Sequence, residues 1–161
     1  MQKGPLLCLI LLWLAPASMA SGSPCQDMTP AIRHMEPATL RLHGAAGAQQ
    51  LEVRIADSRD ERAAGFQHLC PEAFGETAIL FVFPQDTQAQ FHMHNVHAPL
   101  DIAFIGEDGT VVDTKRMGPY ILGVVGNPLY GSERPFRYAL ETAAGRMAQL
   151  GLGAGSRITL P

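Results

Sequence analysis

Short alternations of apolar and polar residues mark the chain from Thr39 onward. Thr39 to His43 (TLRLH) and Leu51 to Ala56 (LEVRIA) repeat with the two-residue period of half-buried strands, and Gly44 to Gln50 (GAAGAQQ) is a flexible joint between them. They are expected to pair antiparallel. Ala78 to Phe83 (AILFVF) is a continuous apolar run ending at Pro84, short and aromatic enough for a fully buried strand. Further strands are predicted over Gln90 to Asn95, Leu100 to Ile105, Thr110 to Lys115, Arg137 to Thr142 and Arg157 to Leu160. The Asp108-Gly109 step between two of these runs is a hairpin signal. Ser58 and Glu61 have capping-box spacing, which predicts a short helix running to about Phe66. A second helix is predicted over Ala143 to Leu150, stopped by Gly151. Pro119 to Pro135 reads as a long irregular loop with Tyr120, Leu122 and Tyr130 as packing points. Many strands without regular strand-helix alternation imply a mainly β fold, a compact antiparallel barrel or sandwich with two short helices.

The chain of 161 residues opens with Lys3, the apolar run Leu6 to Leu14 (LLCLILLWL) and the small-x-small step Ser18-Met19-Ala20. This is the pattern of a secretory signal over residues 1–20, and the run is shorter than the roughly 20 residues a spanning helix needs. Residues 21–37, rich in Ser, Gly, Pro and Thr, read as an exposed lead-in, and residues 38–161 as one β-rich domain. The expected location is periplasmic or secreted. Loss of Lys3 takes the formal charge from −3 to −4, and the remaining Lys and Arg are scattered, so no basic face is offered to nucleic acid. Stable membrane insertion after signal cleavage is not expected either. Cys25 and Cys70 are the cysteines left beyond the signal, and an exported chain can oxidise them to one disulfide; two separate thiols are the alternative.

Chemistry concentrates in Phe91 to Ile102 (FHMHNVHAPLDI), which holds three of the six histidines. Two residues apart on a strand, His92 and His94 share a face, roughly 6.6 Å apart along the backbone, and His97 on the following turn is a candidate third ligand. Such a set suits copper or zinc; the competing reading is an exposed polar strand face. No other cofactor is suggested. Met93, Asn95, Asp101, Met117 and Glu141 fall at strand ends or loop edges, where a pocket mouth can collect them around a small polar ligand. Asp101 and Glu141 also have the residue types for an acid and base pair, while Asn95 and Asp101 could instead bond the backbone of the turn around Pro99. Nothing matches a nucleophile elbow, and Gly151 to Gly155 (GLGAG) reads as a helix stop and a turn, not a nucleotide loop.

Several blocks, in order, resemble domain-of-unknown-function family 192. They are Ala56-Asp57-Ser58 with Glu61, Arg62 and Gly65; Leu80-Phe81-Val82-Phe83; Phe91-x-Met93-x-Asn95 followed by Pro99-Leu100-Asp101-Ile102; Met117-x-Pro119; and Tyr138-Ala139-Leu140-Glu141 with Gly145. The resemblance spans about Leu51 to Leu160. It implies a compact, mainly β, often exported domain with no established catalytic activity. Many members carry Trp, Lys and Thr where His92, His94 and Val96 stand here, so the resemblance assigns no shared role to the histidines.

The expected function is therefore that of a non-enzymatic binding module for a small polar molecule or an envelope protein, with no catalytic residues assigned. A copper or zinc protein using His92, His94 and His97 is the first alternative. A carboxylate-dependent hydrolase using Asp101 and Glu141 is the second.

Overall fold

The computed structural model describes residues 25–160, so the expected signal segment and the start of the lead-in lie outside the described residues. In chain order the elements are α1 (Pro30–His34), β1 (Glu36–Gly44), β2 (Gly47–Ala56), α2 (Arg59–Ala64), a 3-10 turn at Pro71–Glu76, β3 (Ala78–Thr87), β4 (Leu100–Ile105), β5 (Val111–Met117), β6 (Phe136–Ala143), α3 (Arg146–Gln149) and β7 (Arg157–Thr159). Among the described residues seven strands form one sheet in the order β5-β4-β6-β3-β2-β1-β7. The fold is mainly β, as its sequence pattern implies.

The β1–β2 pair is antiparallel, but β2 and β3 run parallel. A parallel neighbour needs a long crossover, and the segment holding α2 and the 3-10 turn supplies it. The sheet curls until its two edges meet: Val111 N donates to Ser156 O and Ile158 N to Gly109 O, both at 2.8 Å. Gly109 makes this closure feasible. Its φ is +80°, and a Cβ there would lie 2.3 Å from the Ile158 carbonyl oxygen.

Alternation along the strands creates two apolar layers. Leu40, Leu42, Leu51, Val53, Leu80, Ala103, Ile105 and Leu140 fill the inside of the curl, which Met147, Leu150 and Leu152 close from the α3 end. On the outer face Ile79, Phe81, Ile102, Phe104 and Ala139 pack under Phe66, Leu69, Phe74, Met93, Val96 and Met117. This outer layer includes the segment read as an exposed lead-in. Thr29 caps α1 by accepting from Ile32 N, and Ile32 and Met35 are buried in the outer core. Two apolar anchors three residues apart are enough to dock one helical turn, even where the surrounding composition looks like linker. The Cys25–Cys70 disulfide and the Gln26–Leu69 bridge hold the same segment.

Three other expectations change. Gln90 to Asn95 is not a strand: only Phe91 pairs, with Tyr130, and Asn95 turns the chain away at φ +58°. The last helix is a single turn, because β6 runs through Ala143 and Gly145 adopts a left-handed conformation before it. Within the long loop Tyr120 and Tyr130 pack against the outer core, whereas Leu122 stands 89 % exposed.

Candidate functional site

The outer layer does not cover the sheet completely. Between α2, the end of β3 and the chain from Ala89 to Val96 it leaves a cleft of about 310 Å³. Its walls are Phe81, Phe83, Phe91 and Val96, with Ala63 and Ala89 between them. Arg59, Arg62, Gln90 and His92 complete the lining, and Glu141 also borders it. The volume is at the small end of the range for ligand sites, as is the pattern of an apolar wall with a few convergent polar groups.

Glu141 reaches this cleft because of strand register. It stands opposite Ile79 on β3 and Ile102 on β4, both outer-layer residues, so its side chain shares their face. It is 5 % exposed. Burial pushes its carboxyl from the ordinary 4.5 up to about 8, with no hydrogen bond or charge acting in the other direction. The group is therefore an uncharged acid at neutral pH, able to donate one hydrogen bond and accept others into the cavity.

The roof over Glu141 is the end of α2. Its start is fixed by the capping box: Ser58 N donates to Glu61 Oε2 at 3.0 Å, and Glu61 N donates to Ser58 Oγ at 3.2 Å. The Ser58 N–H and hydroxyl both donate to the Glu61 carboxylate, at 3.0 and 2.8 Å, and lower its pKa. Gly65 ends the helix at φ +46°, ψ −134°. A Cβ at Gly65 would sit 3.3 Å from Phe81 Cζ and 3.8 Å from Glu141 Oε2, so the bare backbone keeps the ceiling low without sealing the acid. Arg62 is held at the mouth: it donates to the Val82 carbonyl at 2.9 Å and to the Asp57 carbonyl, and lies 5.4 Å from the centre of the Phe83 ring.

Of the five ligand-binding residues expected from sequence, only Glu141 lines this cleft. Asp101 stands one register step away, opposite Thr142, and so projects from the other face of the sheet. Its carboxylate accepts from Gly145 N at 2.7 Å and pairs with Arg116, which ties the start of α3 to the β4–β5 hairpin. Asp101 and Glu141 do not converge as an acid and base pair. Asn95 donates to Gln67 Oε1 at 3.2 Å, and its carbonyl accepts from His68 N at 2.8 Å, so it joins two loops across the outer layer. Met93 and Met117 are buried in the outer core.

The histidines do not gather. His92 sits on the cleft rim, its ring centre 6.3 Å from that of His94, and its Nδ1 accepts from His94 N at 3.3 Å. His94 packs edge-on against Tyr120 at 5.1 Å, and His97 is exposed. Among the described residues no group of three His, Cys, Asp or Glu side chains is placed to hold a metal ion. Phe81, Phe83, Phe91 and Val96 were hidden in the sequence because aromatic and β-branched residues near strands read as core, and Arg59 because an exposed arginine in a first helical turn reads as solvated surface. The one available signal was an acid inside the apolar run of β6.

A model of the family DUF192, described as "Uncharacterized ACR", matches residues 40–160. A search of curated proteins finds no match. Two solved structures are similar. One is a Sinorhizobium meliloti 1021 protein described as a "putative transcription regulator", at 26 % identity and TM-score 0.67, covering 78 % of this chain and 94 % of that one. The other is a protein of unknown function from Novosphingobium aromaticivorans DSM 12444, at 21 % identity and TM-score 0.69, covering 91 % of this chain and all of that one, 100 %.

Proposed function

The chain belongs to the DUF192 family, and we propose that it is an exported, non-enzymatic binding module whose ligand occupies the cleft between α2, β3 and β6, with its polar end against Glu141. One observation carries this reading: an acid on a residue only 5 % exposed borders a cavity of ligand size, and among the described residues no side-chain hydrogen bond or ion pair engages its carboxyl. The carboxyl oxygens meet solvent only through the cleft, so a ligand that fills it must replace that water with a hydrogen-bonding or charged group of its own. The phenyl rings of Phe81, Phe83 and Phe91 favour a ligand with an apolar or aromatic body. The ligand is thus amphipathic rather than wholly polar.

Export is supported by the Cys25–Cys70 disulfide, which persists in an oxidising compartment, and by the N-terminal sequence pattern. Among the described residues no helix is long and apolar enough to cross a membrane. The non-enzymatic reading is supported by the placement of Asp101 and Glu141 on opposite faces of the sheet. The scattered cations of this chain offer no face to nucleic acid, which disfavours for it a role of the kind described for the Sinorhizobium protein.

A panel of small amphipathic molecules, scored by thermal shift, tests the proposal against the variant Ala63→Trp, which fills the mouth from an exposed position on α2. At a hundredfold excess over Kd a ligand stabilises the native state by about 2.7 kcal/mol. For a chain of this size that raises Tm by roughly 6–10 °C. Such a rise in the parent protein, absent in Ala63→Trp, is the expected outcome. Equal shifts in both proteins would place the ligand elsewhere and refute the proposal.

A further inference from the structure

The reading of the cleft as a ligand site leads to a narrower question, namely which chemical class would satisfy its buried acid. A carboxyl in an apolar wall is best matched by a partner that brings positive charge, because the ion pair then replaces the lost water. Among the described residues no cation is placed against it. Arg62 gives its guanidinium to two backbone carbonyls and to the face of Phe83, and Arg59 stands exposed in the first turn of α2. The position of Arg62 over Phe83 also shows that the phenyl wall accepts a cation on a ring face.

We propose that the cleft takes a small organic ammonium ion, amine end first against Glu141, and that a carboxylate at its other end is held at the mouth by Arg59. The preferred ligand is then a short zwitterion with its two charges at opposite ends of an apolar linker. A neutral alcohol of the same shape leaves Glu141 without charge compensation, and a simple carboxylate brings like charge towards it.

Binding carries a proton balance. Free, Glu141 is an uncharged acid at neutral pH; beside an ammonium group it ionises, and its proton passes to the buffer. The charged or titratable groups facing the cleft besides Glu141 are Arg59 and Arg62 from α2 and His92 from the loop, while β3 presents only Phe81 and Phe83. The arginines stay charged throughout, so their contribution to proton release is nil. Rim His92 is controlled by repeating the measurement with His92→Ala.

Titration calorimetry at pH 7 with 4-aminobutyrate, butylammonium, butyrate and 1-butanol, in two buffers of different ionisation enthalpy, tests the proposal. The expected result is binding of the two ammonium compounds, the zwitterion more tightly, with release of close to one proton that persists in His92→Ala. Glu141→Gln should weaken both at least about tenfold, since a neutral amide cannot pair with the charge. Arg59→Ala should weaken the zwitterion alone. The inference is overturned if butanol or butyrate binds as tightly as the amines, if Glu141→Gln keeps the affinity, or if none of the four binds. The ligand-site reading survives such a result when another molecule binds the parent protein but not Ala63→Trp. Both fall when no molecule distinguishes those two proteins.

Discussion

Replacing Glu141 by glutamine changes one oxygen for an NH₂ group and removes an ionisable proton from a site 5 % exposed to solvent. Its consequence for stability follows from the pKa difference between the folded and unfolded chain. Unfolded, the group titrates at its ordinary 4.5; folded, burial raises it to about 8. Below pH 4.5 both states hold the proton and the group exerts no pH-linked effect. Between the two values the folded state holds a proton that the unfolded state has released, so stability falls as pH rises. At pH 7 the gap from 4.5 is two and a half units, which at 1.36 kcal/mol per unit amounts to about 3 kcal/mol of destabilisation. Above pH 8 the effect levels off at about 5 kcal/mol. Glutamine has no such linkage. Urea unfolding of the parent and Glu141→Gln proteins from pH 4 to pH 9 should give a stability difference that is smallest at pH 4 and widens in favour of the variant by about 3 kcal/mol on reaching pH 7. A difference that stays constant across this range would refute the reasoning, because the carboxyl would then titrate alike in both states.

Three further outcomes follow from the same geometry. Asp101→Asn should lower stability by about 1–3 kcal/mol by weakening the bonds to Gly145 N and Arg116, yet leave ligand affinity in the Glu141 cleft unchanged, as denaturation and calorimetry on one preparation would reveal. Gly65→Ala should cost about 1–3 kcal/mol, since φ +46°, ψ −134° suits glycine alone, and should weaken any cleft ligand by crowding Phe81 and Glu141. Replacing both Cys25 and Cys70 by serine should cost roughly 4 kcal/mol on the chain-entropy model for a sequence separation of 45, and hydrogen exchange should then show α1 opening before the sheet.

The sheet was legible because its strands announce themselves by period: Leu40 and Leu42, Leu51 and Val53, and the Asp108-Gly109 turn each dictate local structure without help from distant residues. The parallel β2–β3 pair and the burial of Ile32 and Met35 were not legible, since both depend on where a crossover and a disulfide-held segment find room over the outer face. The same distinction separates the site residues. Glu141 was identifiable as an acid near a strand end, but Asp101 looked equivalent, and a register offset of one residue sends the two carboxyls to opposite faces. Asn95 and His92 drew notice for their chemistry, whereas their roles are set by a turn at φ +58° that breaks the expected strand. The phenyl walls were hidden for another reason: a phenylalanine bordering a cleft and one in a core have the same local sequence signature.

The state of the Glu141 carboxyl itself bears most directly on the account, and it is measurable by carbon-detected NMR of ¹³C-labelled protein through a pH titration. The prediction is a side-chain carboxyl resonance with its midpoint near 8 in the free protein, moving to lower pH when the cleft is saturated with 4-aminobutyrate. A midpoint in the ordinary carboxylate range near 4.5, indifferent to added ligand, would contradict the claim that Glu141 is a buried acid awaiting its partner.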